Sequence, residues 1–258
     1  MDAEELPQPP PEGAPSGPSS LTDRLANIIA APGGVFEEIK HAPVRASNWL
    51  APLLLSCIAT ACFFCIAFSQ PVILLGMQQQ RDKAIQKQVA TGKITQAQAG
   101  QAADFYERFM TPATTKILSA GWAVLSSVVG LFLMALAIWL AVKCCSGAGL
   151  AYMKTVEICG LALVLDVPQK ILRSFLVLWK QNLLATASPT LFLANPSATN
   201  RTDLLLSLLD LGDFWWLAVL SLGVSKAGSI RYRNAACITF GIWFGIRIAF
   251  ILLTPSQS

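Results

Sequence analysis

Residues 131–142 read LFLMALAIWLAV, a run with neither a charge nor an alternation of apolar and polar residues. It sits inside a longer apolar stretch, Ile117 to Val142. The hydrocarbon core of a bilayer is about 30 Å thick and a helix rises about 1.5 Å per residue, so about 20 apolar residues suffice to cross it. In lipid every backbone N–H and C=O must be paired internally, which leaves only helices and closed barrels. A barrel strand alternates with period two, and this run does not. It reads as a membrane-spanning helix.

Four further stretches have the same character: Trp49 to Gly76, Val156 to Trp179, Leu204 to Val224 and Ala235 to Leu253. The expected fold is therefore an all-α integral membrane protein, a bundle of five transmembrane helices within residues 49–254. Composition agrees, since 54% of residues are hydrophobic and only 13% charged, against roughly 25% charged in a soluble domain. The net charge of +4 is small and scattered beside the apolar runs, where Lys and Arg reach lipid headgroups. Nucleic acid is not an expected partner; the lipid bilayer is.

Working outward, residues 1–20 (MDAEELPQPPPEGAPSGPSS) are Pro-rich and acidic with little to bury, and read as a disordered tail. The acidic start lacks the basic and apolar regions of a cleavable signal, so the first span is expected to direct insertion. Residues 21–48 hold two short amphipathic pieces. Leu21, Leu25, Ile28 and Ile29 recur at helical spacing, with Ser20 or Thr22 as cap and Pro32-Gly33-Gly34 as stop. Val35, Phe36 and Ile39 then face away from Glu37, Glu38 and Lys40. Both pieces are too short to span, and each is either an interfacial helix or a helix packed on the cytosolic ends of the spans.

Residues 77–116 form the large polar connection. QQQRDKAIQKQVA and TQAQAGQAADFYERFM flank a Thr91-Gly92-Lys93 break, with Thr95 placed to cap the second, so the segment reads as a polar helical hairpin between spans one and two or as a solvated loop. Five spans put the termini on opposite sides. A cytoplasmic amino terminus gathers Lys40, Arg45, Lys143, Lys154, Lys226, Arg231 and Arg233 in short loops, while Arg81, Lys83, Lys87, Lys93, Arg108, Lys116, Lys180 and Arg201 spread over longer segments opposite. The denser short loops favour that orientation.

Candidate chemistry is sparse. The sole histidine, His41, precedes the first span, and no GxSxG, HExxH, P-loop or GxGxxG occurs in a suitable context. Cys62 and Cys65 form a CxxC without a second ligand pair, so packing rather than a metal site is expected. Cys144 and Cys145 beside Lys143 are candidates for acylation. The Trp residues mark span ends, and Gly241 and Gly245 in GIWFG allow close helix approach, expected to serve packing within the bundle. The chain reads as non-enzymatic, with no cofactor and no metal.

The intramembrane polar candidates are Asp166, Lys170, Arg173 and Arg247. A central Asp or Arg costs about 2.5 to 3.5 kcal/mol on insertion scales, so each is expected to face the bundle interior and find a partner. Asp166 and Lys170 stand four apart on one helical face, and Asp166 is also expected to meet Arg247. Pro168 between them predicts a kink. Their role is expected to be structural; the alternative is a solute or proton site in a transporter or channel component.

The entry segment APGGVFEEIKHAPVRASNWLAPLLL, with Pro32, Phe36, Trp49 and Pro52 in order, resembles the Yip family of multispanning membrane proteins in its bacterial form. LLSLLDLGDFWWLAVLSLGVSKAGSIRYRNAACITFGIW is similar to the family's fourth-span region, and the likeness runs over roughly residues 25 to 253. The resemblance implies five helices, a cytosolic amino terminus, a bacterial inner-membrane location, and a scaffold or membrane-organising role through other membrane proteins or self-association. Eukaryotic members carry Asp-Leu-Tyr-Gly-Pro before the first span. This chain lacks it, which argues against GTPase binding.

Overall fold

In the computed structural model, residues 19–109, 111–147, 149–194, 196–197 and 200–253 are described; the sequence-predicted tail lies almost wholly outside them. The described residues form α-helices and short 3-10 turns, with no strand. Two short helices open the fold, α1 (Leu21–Ala30) and α2 (Pro32–His41). Ser20 caps α1 in a reciprocal box with Asp23, each side chain taking the other's backbone N–H. Pro32 does not lead into a loop as its Pro-Gly-Gly sequence suggests. It is the first residue of α2, where its missing N–H is harmless and its fixed φ suits a helix.

Among the described residues, three helices are long and apolar enough to cross a membrane: α3 (Ser47–Ala67), α6 (Pro112–Ser146) and α11 (Tyr232–Leu253). Their outward faces carry exposed large apolar side chains such as Ile117, Trp122 and Leu133 on α6 and Ile246, Phe250 and Leu253 on α11. Continuous apolar surface of that kind needs a nonaqueous neighbour, and here that neighbour is lipid.

The other two apolar stretches are interrupted. Val156 to Trp179 is divided between α7 (Tyr152–Ala162), a 3-10 turn (Leu163–Leu165) and α8 (Asp166–Lys180). Pro168 falls in the first turn of α8, where the ring is tolerated, and the irregularity expected of it appears just upstream as the tighter turn. Leu204 to Val224 is divided between α9 (Arg201–Ser207) and α10 (Leu211–Gly228), which meet at a 48° bend. Asp210 makes the break by accepting from the Gly212 N–H at 2.8 Å, an N-cap that starts a new helix.

The first span also ends earlier than Gly76. Phe68, Ser69 and Gln70 leave the helix, and α4 begins at Pro71 because the residue before a proline is pushed to extended backbone, as Gln70 is. Residues 71–76 thus belong to α4 (Pro71–Ala90), which pairs with α5 (Gln96–Phe109) as the expected helical hairpin. Gly92 makes the turn at φ +68°, and Thr95 exchanges bonds with Gln98 to cap α5.

The larger of two buried apolar clusters surrounds α7, and a smaller one gathers Phe63, Phe68, Ile73 and Val177. Val156, Ile158, Leu161 and Leu165 are fully buried among Phe36 and Ile39 of α2, Ala135 and Ile138 of α6 and Leu220 and Val224 of α10. α2 is therefore a helix packed on the bundle through Val35, Phe36 and Ile39. Gly223 gives Phe36 its seat: a Cβ there would lie 2.8 Å from the Phe36 ring. No atom of the described residues lies within 4 Å of a Cβ placed on Gly241 or Gly245, so packing among those residues does not explain GIWFG.

Candidate functional site

Two polar clusters lie within this apolar bundle, one at the α1–α2 end and one further along α8. The first surrounds Glu157 of α7, which is completely buried. Its carboxylate accepts from Lys154 Nζ at 2.6 Å, from Asn48 Nδ2 at 2.6 Å and from the Arg45 backbone N–H at 3.2 Å. Lys154 Nζ also donates to the carbonyls of Ile39 and Ala42, closing the end of α2. Asn48 in turn accepts from Arg24, and Arg24 pairs with Glu38 at 2.7 Å. A single chain of charge-assisted bonds thus fastens α1, α2 and the start of α3 onto α7.

Sequence reading passed over Glu157 because it opens an apolar run and looks like an edge charge. Its partners lie more than a hundred residues away, apart from Lys154, whose three-residue spacing was the available signal.

Burial pushes the Glu38 carboxyl upward, yet the bonds from Ser19 and Arg24 outweigh it and hold it below the ordinary carboxylate range. A depressed folded-state pKa contributes stability above the unfolded value, and that contribution is lost as pH falls through the folded one. Melting temperature in detergent is accordingly expected to drop as acid titrates Glu38, and Glu38→Gln should flatten that part of the profile. An unchanged profile would remove Glu38 as its source.

The second cluster lines a cavity of about 380 Å³ between α8, the α9–α10 bend and α11. Asp166, Lys170, Arg173, Asp210, Asp213 and Arg247 all face it, so the four residues picked from sequence share one site and two aspartates join them. Asp166 accepts from Ser56 Oγ of α3 at 2.6 Å and pairs with Lys170 at 3.4 Å, as their spacing predicts. It does not pair with Arg247. That residue lies 3.9 Å from Asp213 and stacks over Trp243.

The reason is register. α10 and α11 are antiparallel neighbours joined by a tight turn at Ser229, and Asp213 and Arg247 stand nearly equally far from it along the two helices. Ser221 and Thr239, which hydrogen-bond at mid-helix, obey the same rule. Asp213→Ala and Arg247→Ala are therefore expected to be non-additive in a double-mutant cycle on stability, whereas Asp166→Ala and Arg247→Ala should add within about 0.5 kcal/mol. Coupling of the second pair alone would reverse the assignment.

Arg173 is held differently. Its guanidinium lies over the Phe63 ring, 5.1 Å from the centroid, and Nη2 donates to the Leu183 carbonyl at 3.0 Å. Gln169 fixes the α10 start by donating to the Gly212 carbonyl at 2.7 Å. The α8–α9 connection roofs the cavity and is stiffened by a relay of buried hydroxyls, Thr186 to Ser188 to Thr190, ending on the Leu184 carbonyl. Cys62 and Cys65 are exposed free thiols, and among the described residues no group of His, Cys, Asp and Glu is arranged to hold a metal.

Comparison of the chain with protein-family profiles, curated proteins and solved structures finds no match.

Proposed function

We propose that the chain is a non-enzymatic integral membrane protein of Yip-like type that organises other membrane proteins, or copies of itself, in a bacterial inner membrane. In this reading five segments cross the bilayer: α3, α6, the α7–α8 unit, the α9–α10 unit and α11. The amino terminus is cytoplasmic and GTPase binding is not part of the role. The observation that carries the proposal is the α4–α5 hairpin. Among the described residues it is the longest polar helical unit, and it presents Phe105 and Phe109 more than half exposed. Aromatic side chains on a polar surface are the usual anchors of protein interfaces.

Replacing residues 77–109 by a short Gly/Ser linker should leave insertion intact and remove the protein's neighbours from a crosslinked membrane sample. An unchanged set of crosslinked neighbours would contradict the proposal. A second reading, a transporter or channel component, is favoured by one observation: charges of α8, α10 and α11 face one another across the cavity. Saturable solute flux in proteoliposomes would select it over the scaffold.

A further inference from the structure

The charges around the cavity are not all matched to one another. Asp166 has Lys170 and Ser56, and Asp213 has Arg247. Arg173 has no carboxylate within ion-pair distance among the described residues, and its Nε is buried without any hydrogen-bond partner. Asp210, at the α9–α10 bend, makes one side-chain bond, to the backbone N–H of Gly212. One guanidinium and one carboxylate thus line the same cavity of about 380 Å³ with unused hydrogen-bonding capacity. A half-buried guanidinium whose Nε is unpartnered, inside an apolar bundle, marks a place where something else supplies the partner.

The walls also say how an occupant enters. α8 and α11 flank the cavity without packing closely on each other. Both helices carry exposed apolar side chains, Leu172 at the cavity and Phe175 on one and Ile246 and Phe250 on the other. A molecule reaching the cavity between them keeps an apolar portion against these side chains and a polar portion inside.

We infer that this cavity binds the headgroup of an aminophospholipid, a phosphate ester bearing a primary ammonium, with the phosphate on Arg173 and the ammonium on Asp210. A guanidinium donates in a planar fork suited to phosphate oxygens, and an ammonium supplies three donors to carboxylates. A zwitterion satisfies both without adding net charge to a wall of three carboxylates and three cations. The site is independent of the hairpin's role and implies no movement of solute.

The test is thermal unfolding of the full chain in detergent with dihexanoyl phosphatidylethanolamine, phosphatidylcholine, phosphatidylglycerol or free phosphoethanolamine. The ethanolamine lipid should raise the melting temperature by several degrees and saturate; the choline lipid, whose ammonium cannot donate, should not. Arg173→Gln should weaken the apparent affinity for it at least tenfold, with Arg173→Lys recovering part. Asp210→Asn keeps a good helix cap and serves if the arginine variants do not fold; it should erase the preference for ethanolamine over glycerol. An equal shift from free phosphoethanolamine supports the same headgroup chemistry and assigns it to a soluble ester. Equal effects of all three lipids, or undiminished affinity in both Arg173→Gln and Asp210→Asn, would overturn the inference.

Discussion

Glu157→Ala is expected to destabilise the folded protein by about 3 to 5 kcal/mol, the range for removing one member of a buried ion pair. The carboxylate is fully buried and is the common acceptor for Lys154, Asn48 and the Arg45 backbone. Without it the Lys154 ammonium keeps only the carbonyls of Ile39 and Ala42. The cost is that of the uncompensated charge rather than the strength of the pair, so the double change Lys154→Met with Glu157→Leu should be much less harmful. Ile28 is fully buried in the wild-type fold, and a cysteine introduced in its place should become reactive to thiol reagents when Glu157→Ala is added, because α1 and α2 lose their fastening. A loss below about 1 kcal/mol with the introduced thiol still protected would mean that apolar packing alone holds them.

The second large effect is steric. A Cβ on Gly160 would lie 2.3 Å from Trp49 Cβ and 2.5 Å from Trp49 Cα, and a backbone atom cannot swing aside as a side-chain tip can. Gly160→Ala therefore forces α7 away from α3, and the expected loss is at or above the roughly 1 to 3 kcal/mol of overpacked cores. Small residues at helix crossings have this use in membranes. Gly121→Ala is the control, for nothing lies within 4 Å of its Cβ, and it should be neutral or stabilising by up to about 1 kcal/mol. Equal effects of the two changes on unfolding in detergent would contradict the close approach.

Length and hydropathy made the helical class and α6 legible, because no soluble element accounts for LFLMALAIWLAV. The α4–α5 hairpin was legible too, since Gly92 and Thr95 punctuate it where the backbone turns. The interruptions were harder. Hydropathy averages across Asp210 and Gly212, so the α9–α10 break vanished into an apolar run although an Asp two residues before a Gly is a cap signal. The Pro71 boundary was hidden in the same way. At the cavity, sequence named the right residues on α8 and α11 and the wrong partner for Arg247. Depth within a span was judged there, whereas the α10–α11 turn sets the register. Glu157 was missed because its network joins segments that only tertiary structure brings together.

We propose that five segments cross the bilayer, two of them interrupted. Single cysteines introduced in place of Thr91, Ser146, Phe192 and Ser229, in a background without the native thiols, test it by labelling intact cells with a membrane-impermeant reagent. Five crossings with a cytoplasmic amino terminus place positions 91 and 192 outside and positions 146 and 229 inside, so only the first pair should react. Protection at Phe192, which is 88% exposed in the fold, would contradict the account. With position 91 labelled, it would mean that α7–α8 does not cross, whatever position 229 then shows about α9–α10.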